Sequence, residues 1–464
     1  VKSVVRAAAQ DAPRDEAPYT LDEEAPRVLG FWDQSAFWAN LGVSLFAFSG
    51  AYTVLAPDEN GAAQLPITAG IVAMIVGTVL GGLMLGLAAV PGARTGQPAM
   101  VLLRGLFGAR LSYVPTALNI VQLVGWGTFE LIVIADAARQ LYDGVPRWAY
   151  VLAAGVLTTV LAIWPLGSVR LLRRYVTAAV MIALVYFYLQ LLREPLPDLG
   201  AAPGSGAQSW SLFWAGADAA LAVSISWVPL AADYTRHARS ARGAFGAATV
   251  AYAATQIIAY VLGLLALALV AGDSAQVYTP FLGVTLGAWF FAVFVLREAD
   301  QSFANVYSTA VSIQNIVPRA DRRVLAVALG ALITGLALVL DMGDYAGFLS
   351  LIGSVFVPML GVLAVDFFLG RGRRGWDLSA AAPSRWGMIA AWAIGFVTYQ
   401  LINPGSVGGW SALWTDLREL LGFTPQPWTS ASLLSFLAAG LAALAAGRIR
   451  PSGGAAPTEP VTSR

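Results

Sequence analysis

Long apolar runs separated by short polar stretches make up most of the chain. A helix that crosses a bilayer needs about 20 mostly apolar residues. By that measure runs fall at 35–56, 67–90, 113–137, 148–166, 176–192 and 212–232. A second series follows at 244–271, 282–312, 324–340, 345–369, 386–402 and 429–447. The runs are continuous and do not alternate with period two, so the helix is the spanning structure they fit. The pattern predicts an all-α polytopic membrane protein with about twelve transmembrane helices.

Composition agrees with this reading. Only 12% of the 464 residues are charged, 58% are hydrophobic, and mean hydropathy is +0.67. Soluble domains carry roughly a quarter charged residues, so the chain lacks the polar surface a water-facing globule needs. The basic residues are also sorted along it. With the amino terminus inside, the outward-facing segments hold only Arg139, Arg147, Arg193 and Arg418, and Arg297 falls inside a run. Every other Lys and Arg lies in an inward-facing segment. The positive-inside rule then puts both termini in the cytoplasm of a multi-pass inner (plasma) membrane protein. Residues 1–30 mix Asp, Glu, Arg, Lys and Pro without an apolar core and read as a disordered cytoplasmic tail, with a second tail at 448–464.

Chemistry narrows further. There is no Cys, and His237 is the only His, which excludes disulfides, thiolate metal sites and multi-histidine centres. A net charge of +1 gives no reason to expect nucleic acid. An intramembrane enzyme would want a nucleophile–base pair or a metal cluster, and the missing Cys and single His disfavour it. No cofactor is expected, and the partners are lipid and a small molecule taken up by a monomer.

Polar residues at membrane depth are costly and point to function. The third run carries Gln122, Trp126 and Glu130 at i, i+4 and i+8, on one helical face. An amide, a flat ring and a carboxylate on one face suit a planar heteroaromatic solute, which the indole stacks on and the polar groups read at its edges. The alternative is that Trp126 packs on a neighbouring helix and Gln122 bonds a backbone carbonyl. The sixth run contains Ser224-Ile-Ser226-Trp227-Val-Pro229, where Pro disfavours continuous helix, and the first has Phe46-Ala-Phe48-Ser49-Gly50 at matching depth. Two interrupted helices in corresponding places mark a midplane site in transporters. The eighth run is the most polar, with Arg297, Glu298, Asp300, Gln301, Ser302, Asn305 and Ser308. Arg297 can meet Asp300 or Gln301 across a turn, either as an internally neutralised pair or as part of a cation site or proton relay. Asp233 and Asp366 close the sixth and tenth runs beside basic loops and read as ion pairs anchoring helix ends.

Several stretches resemble the nucleobase-cation-symport-1 family: Gly92-Ala-Arg94-Thr-Gly96, Gly125-Trp126, Ala232-Asp233-Tyr234-Thr-Arg236, and Gly353-Ser354-Val-Phe-Val-Pro358 through Asp366-Phe-Phe. Within it the chain looks most similar to the cytosine permease and hydroxymethylpyrimidine transporter branch. The resemblance implies a LeuT-like fold of two inverted five-helix repeats, here 31–192 and 193–370, with two trailing helices in 371–447. It implies symport of a nucleobase or related aminopyrimidine such as cytosine or hydroxymethylpyrimidine with Na⁺ or H⁺. Carriers of purine, uracil, allantoin or hydantoin, or of amino acids on the same fold, are the alternatives. Substrate contacts would then come from Trp126, Glu130, Gln122, Ser224, Ser226, Phe48, Ser49 and Asn305. A cation would lie near Phe46, Ser49, Asp300, Ser302 and Ser308. Where some members carry Gln one turn after the stacking indole, this chain has Glu130. A carboxylate there pairs with an amidine-like ring edge through two parallel hydrogen bonds, which is the reason to expect an aminopyrimidine.

Overall fold

The computed structural model describes residues 16–58, 60–340 and 345–448, without the side chains of 167–174, 300 and 346. Apolar runs become helices that place small residues against one another and large apolar ones outward. The main helices are α1 (Phe31–Leu41), α2 (Phe46–Ser49), α3 (Ile67–Thr95), α4 (Tyr113–Leu141), α5 (Arg147–Ile163), α6 (Pro165–Leu191) and α7 (Phe213–Ile225). They continue as α8 (Ala231–Thr235), α9 (Tyr252–Leu269), α10 (Gly287–Ile316), α11 (Arg322–Val339), α12 (Tyr345–Phe368), α13 (Trp386–Ile402) and α14 (Ala431–Arg448).

On α3, Val72, Ile75, Val79 and Leu83 form an exposed apolar stripe at three- and four-residue spacing, the face a helix offers to lipid. Its opposite face runs along α7. There a Cβ on Gly77 would stand 2.1 Å from the Ala217 carbonyl oxygen, so only glycine allows this approach. The longest polar helix, α10, lies along α4, and α12 and α13 pack on α14.

Among the described residues seven helices are long and apolar enough to cross a membrane, or eight if α1 and the Phe46–Leu55 segment form one bent span. Arg147–Ile163 and Trp386–Ile402 are apolar but shorter, and so is Tyr175–Leu191, the part of α6 that follows residues 167–174. The 30-residue α10 is a continuous helix, but Arg297 and Glu298 interrupt its apolar character. Length and composition thus support fewer spans than the run count. The first run breaks between Leu41 and Phe46 with a 49° bend. The sixth does not bend as sharply: Ser226 and Trp227 lead into a 3₁₀ turn at Val228–Leu230 around Pro229, and helix resumes at Ala231.

Residues 16–30, part of the expected tail, are packed. Arg322, fully buried, donates to the carbonyls of Pro18, Ala162 and Ile163. Leu29 forms a bridge with Ala238, and the His237 ring contacts the Pro26 carbonyl at 2.9 Å. Unpaired backbone groups at helix ends thereby gain partners. Asp366 forms the expected ion pair, with Arg385 at 2.7 Å. Asp233 instead accepts the Ala99 amide at 2.9 Å and so caps the helix Ala99–Phe107.

Candidate functional site

A narrow cavity of about 20 Å³ lies where the break after α1 meets the middle of α4, the end of α7, and the facing sides of α9 and α10. Its walls include Ser44 and Phe46 from the break, Trp126 and Glu130 from α4, and Ser226 and Trp227 from the end of α7. Tyr252, Gln256 and Tyr260 of α9 and Gln301 and Asn305 of α10 complete it.

Trp126 is set among rings. Phe46, Tyr345 and Phe348 each meet it edge-on, with centroids 5.5, 5.8 and 5.5 Å away. Phe46 and Tyr345 stack on each other at 5.0 Å. These contacts fix the plane of the indole, and its N–H has no hydrogen-bond partner among the described residues. One turn along, Glu130 is only 1% exposed, and it accepts from Asn305 Nδ2 at 2.8 Å. A carboxylate offers about four acceptor positions, so this bond leaves it able to take a bidentate donor from the cavity.

The polar stretch of α10 reaches the break. Glu298 accepts from the Ser44 hydroxyl at 2.6 Å and the Leu45 amide at 3.0 Å. Arg297 donates to Gln301 Oε1 at 2.6 Å, the pairing across one turn that the spacing predicts.

Residues 27–387 match the family of permeases for cytosine/purines, uracil, thiamine and allantoin. The chain belongs to this family. It is therefore a membrane permease and not an enzyme. Mhp1, a nucleobase-cation-symport-1 family transporter solved in a closed conformation with bromovinylhydantoin bound, aligns with TM-score 0.68 at 17% identity, over 95% of this chain and 97% of its own. Its inward-facing conformation gives 0.60 at 18% identity, over 94% and 93%. A Na⁺-coupled sialic acid symporter in a substrate-bound outward-open state gives 0.61 at 10% identity, over 93% of each chain. The architecture is the LeuT-like fold. None of the curated proteins matches the sequence.

In this permease Trp126, Glu130, Ser226 and Asn305, all expected substrate contacts, line one cavity. Gln122 does not reach it: its amide donates to Asn119 Oδ1 at 3.0 Å and to the Ser226 carbonyl at 3.3 Å, tying α4 to the end of α7. Ser224 donates to Gln256 Oε1 at 3.0 Å and supports a wall residue. Phe48 packs against Phe281 and Phe294, away from the cavity. Two residues along a helix turn the side chain by roughly 200°, so Phe46 and Phe48 cannot share a wall. The Ser49 hydroxyl bonds back to the Leu45 carbonyl at 3.2 Å.

Of the expected cation residues, Phe46 lines the cavity and Ser302 and Ser308 are buried on α10. The Asp300 side chain lies outside the described residues. Among the described residues no hydrogen bond joins Ser49 to Ser302 or Ser308; the contacts joining the break to α10 run through Ser44, Leu45 and Asn40. The α9 wall was missed from sequence, although Tyr252, Gln256 and Tyr260 repeat the same four-residue spacing that singled out Gln122, Trp126 and Glu130.

Proposed function

We propose that this permease is a secondary carrier that imports an aminopyrimidine, such as cytosine or hydroxymethylpyrimidine, by alternating access driven by a cation. The observation that carries the reading is the buried carboxylate of Glu130, one turn from Trp126 on the same cavity wall. The ring stacks on the indole, and its ring nitrogen and exocyclic amine donate to Glu130, with Asn305 holding the carboxylate in place. An amino acid would call for a half-helix N-terminus turned to its carboxylate; at α2 that end is occupied by Glu298. The same reading takes 31–192 and 193–370 as inverted five-helix repeats, with two trailing helices in 371–447, about twelve spans, both termini cytoplasmic and a monomeric carrier.

Uptake of labelled cytosine and hydroxymethylpyrimidine into vesicles containing the full chain tests it. Glu130→Gln is expected to lower apparent affinity about 10- to 100-fold, the loss of one charge-assisted bidentate contact. Unchanged affinity for both would overturn the assignment.

A further inference from the structure

The break in α1–α2 frees backbone groups of opposite polarity. The last carbonyls of α1 lose their helical donors, and the first amides after the break lose their acceptors. In broken membrane helices the carbonyl end is where a cation is held, and the amide end favours an anion. Here two consecutive side chains of α10 meet both ends. The Arg297 guanidinium donates through Nη2 to the Asn40 carbonyl and through Nε to Asn40 Oδ1 at 3.3 Å. Through Nη1 it donates to Gln301 Oε1 and, at 3.1 Å, to Glu298 Oε2. Glu298 in turn takes the Ser44 hydroxyl and the Leu45 amide. Both side chains are buried, Arg297 at 2% exposure and Glu298 at 0%.

We propose that Arg297 is a resident cation that stands where an alkali ion would bridge the first and eighth spans, so this chain binds its substrate without Na⁺. The oxygens that would ligate Na⁺ there, the Asn40 carbonyl and the Glu298 carboxylate, already accept from the guanidinium. A second positive charge beside it, away from water, would be repelled strongly. A guanidinium does not deprotonate in proteins and cannot leave with the substrate. The hinge therefore keeps its resident positive charge through the cycle, and Na⁺ has no part in assembling it. A proton is left as the cation that drives uptake. The inference rests on reading the chain as a substrate carrier, but its test does not need the substrate to be known.

The test is equilibrium binding of ²²Na⁺ to the purified full chain, with thermal melting in NaCl against choline chloride at equal ionic strength. The wild type is expected to show no saturable ²²Na⁺ binding and the same melt in both salts. Arg297→Ala removes the resident charge and leaves Glu298 and the Asn40 carbonyl open. It is expected to melt lower in choline, to recover in Na⁺ more than in K⁺, and to gain saturable ²²Na⁺ binding. Saturable ²²Na⁺ binding by the wild type, or a Na⁺-specific rise in its melt, would overturn the proposal. So would an Arg297→Ala chain that melts like the wild type in choline. If that variant does not fold, the wild-type measurements decide alone. Cytosine affinity in the two salts is expected to agree within about twofold. Loss of all aminopyrimidine binding with a Na⁺-blind wild type would reject the substrate reading and leave this one standing.

Discussion

In the proposed function, recognition turns on a few side chains whose neighbours fix them before any ligand arrives. Trp126 is held by three rings, so its face is set without ordering cost at binding. Replacing it with Ala is expected to weaken aminopyrimidine binding about 5- to 100-fold, the range of one lost ring–base stack, in a titration followed by thermal shift or calorimetry. Gln122 acts differently. It ties α4 to the Ser226 carbonyl, so Gln122→Leu is expected to lower the melting temperature more than it changes which ligand is preferred. The sequence alone could place Gln122, Trp126 and Glu130 on one face, but not tell which of them points into a cavity. That depends on where α7 ends, a distance of 104 residues along the chain. For Gln122, the backbone-bonding alternative is the one the structure shows.

At the scale of elements, tight helix packing decides what substitutions the bundle tolerates. A Cβ on Gly77 would stand 2.1 Å from a backbone oxygen of α7, while one on Gly335 of α11 would meet nothing within 4 Å. Gly77→Ala is therefore expected to destabilise the protein by about 1–3 kcal/mol. Gly335→Ala should be neutral or stabilise by up to about 1 kcal/mol, as read by melting in detergent. The break in the first run was legible from Phe46-Ala-Phe48-Ser49-Gly50, yet it falls just upstream, at Gly42 to Leu45. The reason is tertiary: a Cβ on Gly42 would stand 2.5 Å from the Tyr252 carbonyl oxygen, and the freed groups are met by Arg297 and Glu298 of α10. Neither partner is near in sequence. The polar stretch of α10 was visible as unusual, but its role as the clamp on that break required the helices to be assembled.

The whole molecule is a membrane permease of the LeuT-like fold. The chain has no Cys, so single introduced cysteines report sidedness without background. Cysteines beside Arg139 and beside Arg371 are expected to be labelled from opposite faces of the membrane, with Arg371 on the cytoplasmic side. Labelling of both from one face would contradict the inferred topology. That expected topology rests on the sorting of basic residues, because charge placement follows insertion and does not depend on packing. The central claim concerns the ligand, and thermal stabilisation of the purified protein by a panel of heterocycles tests it most directly. With cytosine, hydroxymethylpyrimidine, uracil, purines, allantoin, hydantoins and amino acids, the account predicts stabilisation by an aminopyrimidine that disappears in Glu130→Gln. Stabilisation by an amino acid or by uracil alone, or an aminopyrimidine shift that survives Glu130→Gln intact, would contradict it.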